Sequence, residues 1–238
     1  MCGSFQLRQG RFVADALIYS PQATVWSGRV VFGSERRIMP YGDLPKALVA
    51  NGYDYDLVND DLLQHRAQIE RGRIVINGYP YRFLILPKNV AVPPGTLAFI
   101  KRFAEQGGVV IALDQLPSQS VGLNDHQAKD ERLRAGIAEL FGPDGQGREF
   151  PGGGRTHYLA EYRIIEPEFT PAEKPYAATP PLSAPQKQLL EILRAHAPPD
   201  FALAGATQSD GLTFIHKQAG DVEVYFVANL QPAPSETA

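Results

Sequence analysis

Apolar runs alternate with amphipathic stretches along most of the chain, and the spacing between them predicts its elements. Phe12 to Ser20, FVADALIYS, is rich in β-formers and stops at Pro21, the pattern of a buried strand. Asp43 to Ala50 predicts a short helix with Asp43 as N-cap and Asn51 and Gly52 as stop residues. Tyr53 to Asn59, YDYDLVN, alternates as a second strand, less apolar than its neighbours and so expected nearer an edge. Asp60 and Asp61 are placed to open a short helix over DLLQHRAQIE, where carboxylates complement the positive helix start. Arg73 to Ile76 and Arg82 to Leu86 read as strands around an NGYPY turn, and Pro87 ends FLIL, the most apolar run. Gly95 to Gln106 places Leu97, Ile100, Phe103 and Ala104 on one helical face and closes on Gly107 and Gly108. Val109 to Asp114 then reads as another buried strand.

Strand and helix alternating in steps of about 30 residues mark βαβ units. The predicted fold class is therefore α/β, a doubly wound, mostly parallel sheet. Beyond Pro117 the pattern weakens. A helix is expected over Lys129 to Leu140, ending at Gly142, followed by a glycine-rich loop from Gly145 to Gly154. Pro167 to Pro185 is rich in proline, alanine and threonine, Gln186 to Ala197 reads as a helix, and Gly211 to Leu230 alternates as a C-terminal β-hairpin turning at Ala219 to Asp221. The expected organisation is an α/β core over 1–165, a proline-rich linker or arm over 166–185, and a helix with hairpin over 186–238 that packs on the core or leads to a following β domain.

With 238 residues, 44% hydrophobic and 21% charged, the composition is that of a globular protein with a sizeable core. Lys and Arg number 23 against 26 Asp and Glu, so the net charge of −3 supplies no field to hold phosphate backbones, and nucleic acid is not an expected partner. No apolar run reaches the roughly 18 residues of a bilayer span, and Met1 to Gly10 lacks the apolar stretch of a secretory signal, so the expectation is a soluble chain without membrane contact or address. Cys2 is the single cysteine, which excludes an internal disulfide.

Ligands bind doubly wound sheets outside the carboxyl ends of their strands, which singles out Tyr19, Asp56, Asn59, Asp60 and Asp114 as candidate strand-tip binding residues. Asp54, Asp56, Asp60 and Asp61 offer carboxylate oxygens for a hard cation, but helix capping and a turn account for them more simply. Asp114 could serve as a general base or cap the following loop, and no partner acid is assignable to it. The histidines, His65, His126, His157, His196 and His216, are scattered without metal-ligand spacing, and His216 reads as a half-exposed strand residue. Gly152 to Gly154 follow no strand and lack a phosphate-binding lysine, so a flexible turn is expected. No cofactor, metal or catalytic residue is predicted.

The strings QLRQGRFVADALIYSPQATVW, GYDYDLVNDDLL, YRFLILP, GTLAFIKRFAEQGGVVIA and LTFIHKQAGDVEVYFVAN together resemble the segment that follows the catalytic barrel in glycoside hydrolase family 106, large bacterial α-L-rhamnosidases. A weaker likeness is to the trimerisation domain of family 42 β-galactosidases. The resemblance implies a flavodoxin-like, class I glutamine-amidotransferase-like fold. It further implies an accessory domain, because the paired catalytic carboxylates of such enzymes lie on an upstream barrel. Amidotransferases need a cysteine on a strand-to-helix turn and a later His-x-Glu. Here the turn after VVIALD reads QLPSQS, and no His-x-Glu occurs.

The reading that follows is a non-catalytic accessory or interaction domain related to a larger glycoside hydrolase. Its partners would be the catalytic barrel and β domains of that enzyme, or a second copy through the same apolar surface. The alternatives are a small stand-alone hydrolase using Asp56, Asp60 or Asp114, and a carbohydrate-binding module stacking sugars on Trp26, Tyr53, Tyr55, Tyr79, Tyr81 or Tyr158. Compartment is undetermined, although the family resembled is often exported in bacteria.

Overall fold

The apolar run from Phe12 to Ser20 serves two sheets rather than one. Arg11–Phe12 forms β1 and Ala16–Tyr19 forms β2, with Val13 to Asp15 crossing between them. Val13 N–H donates to the His216 carbonyl (3.0 Å), while the Asp15 carbonyl accepts from the amides of Arg82 (2.8 Å) and Phe83 (3.0 Å). The computed structural model describes residues 10–27, 41–164, 181–202 and 212–229.

In chain order, α1 (Gln22–Ser27), α2 (Leu44–Val49) and β3 (Tyr55–Val58) follow β2. A π-helical turn, Leu62–Arg66, leads into β4 (Gln68–Glu70), β5 (Arg73–Ile76), β6 (Tyr79–Tyr81) and β7 (Phe83–Leu86). Then come α3 (Pro94–Glu105), β8 (Val109–Leu113), α4 (His126–Phe141), β9 (Arg155–Leu159) and α5 (Ala184–His196), and last β10 (Leu212–Ala219) and β11 (Val222–Asn229). These elements fall into two compact units, one of Met1–Ala14, Leu44–Tyr55 and Glu168–Ala238 and a larger one of Asp15–Asp43 and Asp56–Pro167.

The larger unit is built on a five-stranded parallel sheet in the order β3-β2-β7-β8-β9. Numbered by appearance, its strands run 2-1-3-4-5, so the order reverses between β2 and β7. Leu17 lies opposite Leu84, Ile85 opposite Ile111, and Ile111 opposite His157. Every residue of β2, β7 and β8 is buried, as strands covered on both faces require. Phe99 and Phe103 of α3 and Phe141 of α4 fill the space above the sheet, and Leu97, half-buried, lies against Gly136 of α4.

Three sequence expectations change here. The helix expected over DLLQHRAQIE is only the π-helical turn, because Ala67 is extended (φ −78°, ψ 139°) and Ile69 pairs with Ile74 in an antiparallel meander, β4-β5-β6. Its hairpins turn on Arg71–Gly72 and Asn77–Gly78, all four residues at positive φ, so YPY belongs to β6 and not to the turn. The glycines 152–154 do not form a loose turn either. A Cβ on Gly152 would strike the Glu105 carbonyl oxygen and one on Gly154 that of Ala104, so glycine is what lets this turn close on the end of α3 and feed β9, a strand the pattern did not predict.

In the smaller unit, β10 and β11 pair antiparallel over their full length, and β1 flanks β10 in the order β1-β10-β11. Ser183 caps α5 in a reciprocal box with Gln186, which starts the helix two residues before Gln186. Tyr53, fully buried, donates its hydroxyl to the Ala197 carbonyl (2.8 Å). Gly52, at φ +83°, accepts from Asp200 N–H (2.9 Å) at an approach to Phe201 that leaves no room for a Cβ. Residues 165–180, and with them most of the proline-rich stretch, lie outside the described residues.

Candidate functional site

At the carboxyl ends of the parallel strands, Tyr19 closes β2, Asn59 and Asp60 follow β3, and Asp114 follows β8. Tyr19 and Asp60 meet: the phenol donates to Asp60 Oδ1 at 2.7 Å. The same oxygen accepts from the Thr96 hydroxyl at 2.5 Å, and Thr96, itself fully buried, accepts from Gln64 Nε2 at 2.8 Å. Burial and the adjacent Asp60 carboxylate push the Tyr19 phenol far above its ordinary pKa, so it stays a neutral donor. Asn59 Oδ1 accepts from Leu62 N–H (3.0 Å) and so caps the π-helical turn that aims Asp60 and Gln64 at α3.

The remaining predicted residues stand apart from this network. Asp56 Oδ2 accepts from the Tyr81 hydroxyl (2.7 Å), whose pKa is raised by burial and by that carboxylate. Asp114 is buried at φ +63°, with Oδ1 3.3 Å from Arg163 Nη1 and Oδ2 accepting from Ile164 N–H (2.9 Å). Asp54 is buried in the smaller unit and accepts from His216 N–H (3.3 Å). The four acids of the 54–61 segment therefore do not converge on a cation. Among the described residues no group of three or more His, Cys, Asp or Glu is arranged to hold a metal ion.

Above the reversal of strand order lies a cleft of about 660 Å3. Its lining residue Ala91 is held by Thr24 of α1, whose Oγ1 accepts from the amides of Val90 (2.9 Å) and Ala91 (3.0 Å) and donates to Asn89 Oδ1. The loops after β7 and β8 then knit together: Val90 O accepts from Ser118 and Gln119, and Gln119 O accepts from Val92. Asp60, Pro93, Ser120, Val121 and Leu123 line it, with His126 and Asp130 of α4 adding to the polar lining. Asp130 Oδ1 accepts from Ser120 N–H at 2.6 Å. Of this lining the sequence singled out Asp60. Thr96, in the first turn of α3 after β7, had that position as its one signal, while Ser120 and Asp130 carry no local motif.

His216 differs from its expectation as a half-exposed residue: it is 5% exposed. Its Nδ1 lies 3.1 Å from Asp200 Oδ2, its Nε2 2.7 Å from Glu223 Oε2, and its ring stacks on Tyr225 at 4.2 Å. Burial lowers its pKa, but the hydrogen bonds and charges of the two carboxylates outweigh that and raise it. The aromatic residues considered as sugar platforms do not form one. Tyr53 and Tyr81 are buried, Tyr55, Tyr79 and Tyr158 are half-buried, and the Trp26 side chain lies outside what is described.

Comparison with known proteins places this geometry. A family model described as alpha-L-rhamnosidase, that of glycoside hydrolase family 106, matches residues 2–238. No curated protein sequence matches. Among solved structures, a rhamnosidase from Novosphingobium sp. PP1Y is similar with a TM-score of 0.57 at 18% identity, over 95% of this chain and 18% of that one. A β-galactosidase from Bacillus circulans sp. alkalophilus gives 0.56 at 12% identity, over 94% of this chain and 36% of that one. These likenesses concern the fold, and the chain spans well under half the length of either protein.

Proposed function

Because the chain belongs to glycoside hydrolase family 106, the alpha-L-rhamnosidase family, we propose that it is a non-catalytic accessory segment of a larger glycoside hydrolase. The observation that carries this reading is how its strand-tip carboxylates are used. Glycoside hydrolysis takes two carboxyl groups facing one bond, one of them able to give a proton to the leaving oxygen. Asp56 is engaged with Tyr81 and Asp114 with Arg163 and Ile164, while Asp60 and Asp130 serve as acceptors for two hydroxyls and a backbone N–H. Each of the four is thus hydrogen-bonded as an acceptor.

The strand order 2-1-3-4-5 supports a flavodoxin-like descent, and the turn after β8 supports its amidotransferase-like variant. Such a turn holds its nucleophile on strained backbone. Asp114 sits on backbone of that kind, at φ +63°, yet it is a carboxylate turned to Arg163 and the Ile164 amide. The scaffold of a glutaminase without its thiolate fits a role in support and docking. The exposed apolar side chains of the β10–β11 hairpin, Val222, Phe226 and Ile215 among them, fit contact with the barrel or β domains of the larger enzyme.

The test is direct. The purified 238-residue chain should release no nitrophenol from p-nitrophenyl α-L-rhamnoside above buffer, and turnover that disappears in an Asp60→Asn variant would overturn the proposal.

A further inference from the structure

We propose that the cleft at the strand tips of the larger unit binds an uncharged, hydroxyl-rich ring of monosaccharide size. The proposal does not depend on the accessory role, because it concerns occupancy and not turnover. The cleft stands where the strand order reverses between β2 and β7, the place where parallel α/β sheets leave room for a ligand between diverging loops. Its volume of about 660 Å3 falls within the roughly 300–1,000 Å3 of small-molecule sites.

The lining selects the ligand. Asp60 spends Oδ1 on Tyr19 and Thr96, and Asp130 spends Oδ1 on the Ser120 amide. Among the described residues neither Oδ2 takes a hydrogen bond, and the Ser120 hydroxyl is buried without a partner. A buried hydroxyl left unpaired costs about 1–3 kcal/mol, so the Ser120 side chain gains by turning its hydroxyl toward a ligand in the cleft. The two carboxylate oxygens are acceptors and ask for O–H donors, while the Ser120 hydroxyl can donate or accept. Among the described residues the lining holds two carboxylates and one imidazole, His126, with Lys129 Nζ beside Gly122, so a phosphate or carboxylate would meet two like charges at the acids. Pro93, Ala91, Val121 and Leu123 supply the apolar wall of the lining, with Leu123 92% exposed. A sugar ring meets both demands, presenting a C–H face to that wall and vicinal hydroxyls to the acids.

The experiment titrates the isotopically labelled 238-residue chain with D-galactose, L-rhamnose, myo-inositol, galactose 6-phosphate and ethanolamine while following its amide resonances. At least one uncharged polyol should give saturable shifts centred on Ser120 to Leu123 at low millimolar concentration, with the phosphate weaker by about tenfold or more. Ser120→Ala and Asp130→Asn should each weaken binding by about tenfold. If either variant loses its native spectrum, Leu123→Asp, at a side chain with no packing to lose, should weaken binding while the fold is kept. No saturable shift up to about 50 mM polyol, equal affinity for the phosphate, or binding of ethanolamine alone would each overturn the proposal.

Discussion

Asp114 shows how one side chain can hold two strand ends together. A positive φ costs a residue with a Cβ about 1 kcal/mol, least for Asp and Asn. Arg163 is largely exposed, so its ion pair with Asp114 contributes about 1 kcal/mol at most. The Ile164 N–H has no such latitude, since losing its only described partner leaves a buried donor unpaired, at about 1–3 kcal/mol. Asp114→Asn keeps an oxygen for that amide and tolerates the backbone, so it should cost about 1 kcal/mol, while Asp114→Ala should cost about 2–4 kcal/mol in urea unfolding. Equal costs would show that the Ile164 bond contributes nothing. His216 makes the second residue-scale prediction. Carboxylates only accept, so bonds at both ring nitrogens require the imidazolium. The charged groups around it are Asp200, Glu223 and, at its backbone N–H, Asp54, with the Tyr225 ring stacked alongside. With the folded pKa raised above its unfolded value of about 6.5, this contribution is fully present below that pH and lost as pH rises through the folded value. The thermal midpoint of the smaller unit should therefore fall from about pH 6 to pH 8.5, and His216→Gln, which cannot titrate, should flatten that slope.

At the scale of elements, the sequence carried most of the central sheet, because parallel strands buried on both faces leave unbroken apolar runs such as FLIL and VVIAL. The α/β class and the pairing of the closing strands were legible for the same reason, alternation being visible wherever one face is buried. What was hidden depended on partners distant in sequence. RTHYL alternates too briefly to announce β9, and it becomes a strand because Val109 to Leu113 offers it an open edge. The split of FVADALIYS was equally invisible, since one apolar run pairs at Phe12 with Lys217 and at Ala16 with Phe83. The Asn-Gly pair at 77–78 did announce its hairpin, and only the length of the turn was misjudged. In the candidate site, Tyr19 and Asp60 stood out as strand-tip residues, but nothing local said that they touch, and Ser120 and Asp130 reach the same cleft from a loop and a helix whose placement is tertiary.

For the whole molecule, the most conspicuous unspent surface is the outer face of the C-terminal hairpin. Alternation along paired strands sends Phe214, His216 and Gln218 to one side with Glu223, Tyr225 and Val227, and sends Ile215 to the other, opposite Phe226, with Val222 opposite Ala219. Val222 is 60% and Phe226 45% exposed, and β11 is the last strand of its sheet, so an apolar face adjoins an edge without a neighbouring strand among the described residues. Surfaces of this kind pair with other strands unless charge or proline blocks them; on this face the register puts one charge, Lys217, on the central strand β10 and not on the β11 edge, while Glu223 points to the opposite face and is engaged with His216. The chain studied alone should therefore self-associate reversibly, its sedimentation coefficient rising with concentration. Val222→Lys with Phe226→Lys places two charges on that face without touching the His216 network, and should hold the chain monomeric while its pH-dependent unfolding persists. Fully burying a Phe side chain is worth about 1.5–3 kcal/mol, so even the Phe226 change alone should weaken association by about tenfold or more. A wild-type chain that stays monomeric across the concentration range would mean that this face does not self-pair, and would leave docking on another part of a larger enzyme as the use the hairpin can have.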